Sequence, residues 1–311
     1  MPPECDISVT LRDFEKLHLD KSDKSVATTQ MIVFCSWRVV KESAFIMAYL
    51  TCNFHPIYIS VKQIIDISDY LMKIVLESRH LGAFEKAFLA LNDIIHWLWR
   101  CSDSELNQLP NFWIKEILES ISDLDKASRF CLTRRSAGVP RFLEALLTSA
   151  PKLIMEVEVT RVFTFLQEVA CKPAPAKPLQ RIKIHCLNVL RALIRCSKLG
   201  ELVHPFVADC LCISLNEFDS KLWPVRNASN LLFASIINRT FGCQSNPLQL
   251  TLKNRMSSQS FFKKYPILFE FLLQLTREAT GNLSRVPHPA LFPLLLLLQR
   301  IYHTDEEGVI K

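Results

Sequence analysis

Glycine is scarce in this chain, six residues in 311, about a third of the usual frequency. So few glycines leave little material for the positive-φ turns that wrap a phosphate. No G-x-G-x-x-G, P-loop or G-x-S-x-G pattern occurs. Eleven cysteines are present, yet none forms a C-x-x-C pair. The closest spacing, Cys210-x-Cys212, has no histidine within four residues, and residues two apart on a helix face different sides. It is a poor zinc or redox site, and the odd cysteine count reads as reduced core thiols. The eight histidines are scattered, with no pair at i,i+4. Catalysis by this chain alone is therefore not expected, nor is a metal, a cofactor or a small-molecule substrate. Long apolar runs are missing too. The longest unbroken one near the C-terminus, Leu294 to Leu298, is far short of a membrane span. Glu4, Asp6, Asp13, Glu15, Asp20 and Asp23 break up the first thirty residues, so no signal peptide is read there and the expected compartment is the cytoplasm. Without such a signal, the sequons at Asn227, Asn238 and Asn282 read as chance matches.

What the chain has in quantity is helical periodicity. Hydrophobic residues make up 49% and charged residues 22%, ordinary values for a folded chain. Residues 1–29 are polar and poorly periodic and read as a flexible leader; residues 30–311 read as one α-helical solenoid domain. Apolar positions recur at three- and four-residue spacing from Thr29 to Cys52, Ser60 to Ser78 and Ala83 to Cys101. Pro110 is read as opening a fourth helix, Pro140 as lying in the first turn of a fifth, and Glu156 to Ala170 as a sixth. Three prolines between residues 173 and 178 mark a short stiff linker near 171–178. Beyond it the pattern predicts a helix ending at Gly200, another opening at Glu201, a third from Pro224 to Gly242, and two more over Pro266–Thr280 and Pro289–Tyr302. A polar loop covers 243–258, and no stretch alternates as a strand does. The fold class is all-α, an irregular armadillo/HEAT-like α-solenoid with no exact repeat period evident. In such a helix Arg226 is expected to pair with an acidic residue of the adjoining repeat.

Charge is unevenly placed. Residues 1–130 hold 14 Lys and Arg against 18 Asp and Glu, whereas residues 131–264 hold 19 against 8. The basic excess begins at Arg134-Arg135, and Arg181, Lys183, Arg191, Arg195 and Lys198 cluster after the proline-rich stretch. A basic region of this size can meet phosphates. Equally, it can be a set of solvated helix faces.

The stretch Arg134-Arg135-Ser136-Ala137-Gly138-Val139-Pro140 stands apart. A chain that rarely uses glycine places one beside paired arginines, which suggests close backbone approach or unusual dihedrals there. The alternative is a tight turn with both arginines solvated or paired with Asp123 and Asp125. The stretch resembles the R-R-S-A-G-[IL]-P signature of the thyroid-adenoma-associated (THADA) protein family, which includes the non-catalytic partner of a yeast tRNA 2′-O-methyltransferase. Further blocks agree in order: Ser78 to Glu85, Leu187 to Leu193 with Lys198 to Glu201, Trp223 to Asn227 through Arg239 to Gly242, and Asn254 to Met256. The resemblance implies an α-solenoid adaptor for an FTSJ-type methyltransferase that modifies the tRNA anticodon loop. It ties Arg134, Arg135, Ser136, Ala137, Gly138, Val139 and Pro140 to that role, with Val139 where Ile or Leu is usual. Family members are several times longer. The competing reading is a general HEAT/armadillo-type scaffold that binds another protein and no RNA.

Overall fold

The computed structural model describes residues 29–78, 81–130, 138–243, 252–280 and 288–303. Apart from Thr29, the expected leader lies outside them. Thirteen α-helices occur among the described residues, with one two-residue strand pair. The all-α reading stands, and the fold is an α-solenoid. The chain divides into two compact units, residues 1–155 and 156–311.

In the first unit, α1 (Thr29–Phe54), α2 (Val61–Glu77), α3 (Leu81–Leu98), α4 (Ser104–Ser122), α5 (Leu124–Arg129) and α6 (Gly138–Ser149) follow in order. Helix α1 stops just before His55-Pro56, because a residue preceding proline avoids the helical region. A capping box opens α2: the Gln63 N–H donates to the Ser60 hydroxyl, while Gln63 Oε1 accepts from the Ser60 N–H at 2.9 Å. Such caps typically contribute about 1 kcal/mol. Helix α3 is the hub. Ala83, Phe84, Ala87, Leu91, Ile94, Ile95 and Leu98 are buried along it, and it packs on α1, α2 and α6. Alanine at 83, 87 and 90 lets neighbouring helices approach closely.

Helix α4 begins earlier than the sequence reading placed it. Asp103, rather than Pro110, starts it: its Oδ1 accepts from the N–H groups of Glu105 at 2.9 Å and Leu106 at 3.1 Å. Pro110 sits inside, buried. A strong acidic cap one residue ahead of Ser104 outweighs the usual preference for proline in the first turn. Asp123 ends α4 and caps α5, and those N–H bonds, that of Lys126 foremost, hold its carboxyl below the usual range.

The division between units falls inside α7 (Lys152–Cys171). Residues 172–176, the proline-rich stretch, join α7 to α8 (Lys177–Arg195) within the second unit. Two 3₁₀ turns broken at Gly200 then cover Ser197–Phe206, where the sequence reading had a helix opening at Glu201. Gly200 has φ 49°, and Pro205 cannot donate into a regular α-ladder. Helix α9 (Val207–Asn216) and α10 (Trp223–Phe241) follow, with α10 packed along α8. Next come β1 (Met256–Ser257), α11 (Ser258–Lys264), α12 (Ile267–Thr280), α13 (Leu291–Leu298) and β2 (Ile301–Tyr302). The two strands pair in parallel, Met256 with Ile301 and Ser257 with Tyr302. Tyr302 is therefore strand, not the end of the expected last helix.

Candidate functional site

Three of the seven signature residues are described, and all three are buried at the start of α6. Arg134, Arg135, Ser136 and Ala137 lie outside the described residues. Gly138 shows why the signature needs glycine. A Cβ built there would sit 1.8 Å from the Val75 carbonyl oxygen and 2.6 Å from its carbon. The first turn of α6 thus rests directly on the last turn of α2. Val139 and Pro140 are enclosed behind it. Further along α6, the Trp99 indole N–H donates to the Leu146 carbonyl at 3.0 Å, and Phe142 meets the Trp113 ring with centroids 6.1 Å apart.

This contact brings two motif blocks together. Ser78, almost fully buried, ends α2 one turn after Val75, and its N–H donates to the Ile74 carbonyl. Gly138 therefore adjoins the place where the Ser78–Glu85 block begins. Sequence reading singled out both blocks but not their adjacency. It also passed over Arg141, exposed one residue beyond Pro140, with its guanidinium 5.5 Å from the Phe88 ring centroid.

The residues read as a basic surface divide. Arg195 and Lys198 are exposed, and Arg181 and Arg191 are half-buried, each with interactions of its own. Lys183 is a correction. It is 6% exposed, and its ammonium is ion-paired with Glu217 just ahead of α10. Two positions along the helix from Arg181, it falls on the side that faces the core.

Other motif blocks meet at the far end of α8 and α10. The Arg239 guanidinium donates to the Gly200 carbonyl. Asn254 sits beneath the end of α10, where its amide donates to the carbonyls of Phe241 at 3.1 Å and Cys243 at 3.2 Å. Gly242 stands between them with φ 79°. Asn254 is thus a C-cap supplied from a distant segment. Arg226 does not find the expected carboxylate: it donates to the Ser220 carbonyl at 2.7 Å. His204 Nδ1 lies 2.5 Å from Glu201. Burial and the Lys264 ammonium nevertheless hold its pKa below the ordinary value, so near pH 7 this contact is a hydrogen bond from a neutral ring.

The cap makes a sharp prediction. Asn254→Ala leaves two carbonyls without a donor, at about 1–3 kcal/mol. Asn254→Asp should be worse, because a carboxylate would face both carbonyl oxygens. Thermal melts should rank wild type above alanine and alanine above aspartate. An aspartate variant as stable as wild type would remove the cap assignment.

An open groove of roughly 510 Å³ lies between α7 and α9, lined by Thr164, Gln167, Cys171, Asp209, Cys212 and Asn216. Its thiols are poor nucleophiles. Burial, followed by the Asp209 charge, pushes Cys212 up to about 12. Among the described residues no group of His, Cys, Asp and Glu is placed to hold a metal ion, and no helix is long and apolar enough to cross a membrane.

Two family models tile almost the whole chain. One, described as THADA/TRM732, DUF2428, matches residues 2–224; the other, Trm732, C-terminal TPR repeats, matches residues 226–310. The chain belongs to the THADA/Trm732 family. Relatives in this family include the tRNA (32-2′-O)-methyltransferase regulator THADA of Canis lupus familiaris, 37% identical over 299 residues, and that of Homo sapiens, 36% identical over 299 residues. Each match covers 90% of this chain and 15% of the relative. The tRNA (32-2′-O)-methyltransferase regulator trm732 of Schizosaccharomyces pombe is 27% identical over 290 residues, 90% of this chain and 19% of that protein. The chain thus spans less than a fifth of the length of these relatives. No solved structure matches it.

Proposed function

We propose that this chain is a non-catalytic adaptor region that partners an FTSJ-type methyltransferase for 2′-O-ribose methylation of the tRNA anticodon loop. The observation that carries the reading is its match, over 90% of its length, to proteins named as regulators of a tRNA 2′-O-methyltransferase. Those names give position 32 as the modified ribose. The same names, regulators of a methyltransferase, support the non-catalytic part of this reading. The partner is the methyltransferase with its tRNA, and the compartment proposed is the cytoplasm.

The purified chain is mixed with the methyltransferase and unmodified tRNA, and 2′-O-methyl groups are mapped with and without it. Methylation that needs the chain supports the adaptor reading; methylation at an equal rate without it favours the general scaffold. In the same assay Arg134→Ala with Arg135→Ala is expected to lower methylation at least tenfold. Its melting point should stay within about 2 °C, since removing an arginine that is solvated costs roughly 0.5 kcal/mol. A guanidinium aimed at phosphate or carboxylate makes paired charge-assisted bonds that alanine cannot replace. Wild-type methylation by the double variant would leave these arginines as solvated turn residues.

A further inference from the structure

Helices α8 and α10 are successive copies of one structural element. Lys183 in α8 pairs with Glu217 in the turn ahead of α10, and Arg239 late in α10 bonds Gly200 in the segment after α8, so the two helices run parallel. The second contact joins residues 39 apart, and that offset relates the core positions of the second half of α8 to those of α10. Buried Cys186, Val189, Leu190 and Leu193 correspond to buried Val225, Ala228, Ser229 and Leu232. The Gln167 amide reaches the Phe206 carbonyl at 3.0 Å across the same separation of 39, from α7 toward α9. The repeat is thus present in the burial pattern though not in residue identity, and its length is close to that of a HEAT repeat.

The same offset aligns the outward positions. By that offset Ile184 corresponds to Trp223, Asn188 to Asn227, Arg191 to Asn230, and Arg195 to Ala234. Trp223 is 65% exposed, Asn227, Asn230 and Arg195 are exposed, and Asn188 and Arg191 are half-exposed. Neither nineteen-residue helix contains an Asp or Glu, whereas α8 carries Lys177, Arg181, Arg191 and Arg195 besides the buried, ion-paired Lys183. Parallel helices in contact lie about 8–10 Å apart. From Ile184 to Arg195 the surface runs about 16 Å. Trp223, Asn227 and Asn188 belong to sequence blocks in which Val225, Leu187, Val189, Leu190 and Leu193 are buried, whereas these three lie toward solvent.

We propose that this α8–α10 face binds single-stranded RNA, reading bases as well as phosphates. Arg191 and Arg195 meet the backbone. Trp223 supplies a stacking platform at one end, as aromatic side chains do for unpaired bases. Asn188, Asn227 and Asn230 present amides, each with donors and an acceptor, to base edges, the chemistry by which helical-repeat proteins read RNA one base at a time. A duplex keeps its base faces stacked and its Watson–Crick edges paired, so it gives Trp223 nothing to stack on and withholds those edges from the asparagines. The proposal deepens the adaptor reading, and rests on it for the kind of nucleic acid: an unpaired loop is the part of a tRNA that such a face fits.

The test is fluorescence anisotropy of the full chain with a labelled fifteen-nucleotide single-stranded RNA, and with a duplex of the same sequence. Trp223→Ala is expected to weaken single-strand binding about five- to hundredfold, the range that base–aromatic stacking supplies. Arg195→Glu should weaken it at least tenfold. Lys115→Glu, an equal charge change at an exposed lysine of the other unit, should change it less than twofold. Duplex RNA should bind at least tenfold more weakly and with no dependence on Trp223. Single-strand affinity unchanged in both Trp223→Ala and Arg195→Glu would overturn the proposal, as would equal affinity for duplex. Methylation lost in those variants while RNA binding stays at wild type would also overturn it, by marking the face as a contact for an acidic protein. Each of these outcomes leaves the adaptor reading standing, since that depends on whether methylation needs the chain at all.

Discussion

Gly138→Ala should lower the melting temperature by about 6–12 °C and abolish chain-dependent tRNA methylation. A methyl group at this position would lie 1.8 Å from the Val75 carbonyl oxygen, closer than any relaxed contact. Its neighbour is backbone in the last turn of α2, so no rotamer change relieves the clash. The first turn of α6 must lift from α2 by at least about 1.5 Å to restore ordinary contact. Val139, Phe142, Leu143 and Leu146 are buried behind it and would lift with it. Overpacking in a closed core costs about 1–3 kcal/mol, and the upper end applies where backbone must move. For a chain segment of this size that corresponds to the shift stated. Gly138→Val should be at least as harmful, since its clash begins at the same Cβ. The contrast with the arginine pair is what makes the experiment informative. Loss of the arginines should reduce methylation without moving the melt, whereas loss of the glycine should change both. A Gly138→Ala chain that melts with wild type would mean that α6 does not sit on α2 as described.

Gly138 was legible in the sequence because glycine is so rare here that its use beside a proline and two arginines called for a backbone reason. Its partner was not legible. Nothing in residues 75–78 distinguishes a helix end that receives another backbone from one that faces water. The helical class followed from apolar spacing alone, since that spacing is what makes a buried stripe. The 39-residue repeat did not, because corresponding core positions share burial and not identity: Cys186 matches Val225, and Leu190 matches Ser229. Arg181, Lys183, Arg191 and Arg195 cluster in sequence, yet a helical projection puts the three arginines on one side of α8 and Lys183 on the other. That projection would have removed Lys183 from the basic surface. It could not have supplied Glu217, which lies 34 residues away across another helix. The Met256–Tyr302 pairing was equally hidden, since two-residue strands show no alternation.

Lys183 and Glu217 make the second large prediction. The Lys183 side chain is 7% exposed and that of Glu217 is 19%, so each charge depends on the other for solvation. Glu217→Ala would leave an ammonium buried with no counter-charge. Breaking a buried pair from one side typically costs about 3–5 kcal/mol. With Glu217 partly in contact with water, the lower end, about 3 kcal/mol, applies. Lys183→Ala should cost as much, because it strands the carboxylate and also opens a cavity. Lys183→Met together with Glu217→Gln removes both charges and keeps the bulk. It should recover at least half the loss, because replacing a buried pair with neutral side chains of similar volume is often nearly neutral. The measurement is a double-mutant cycle by denaturant unfolding with Lys183→Met and Glu217→Gln, which should show a coupling of about 2 kcal/mol. The functional consequence follows from where the pair sits. It ties α8 to the turn that leads into α10, and so helps hold together the two helices that carry Asn188 and Asn227 on the face proposed to hold RNA. The neutral pair should therefore keep single-strand affinity within about threefold of wild type while the single Glu217→Ala loses it. Additive single and double variants would show that packing alone sets the register of α8 and α10.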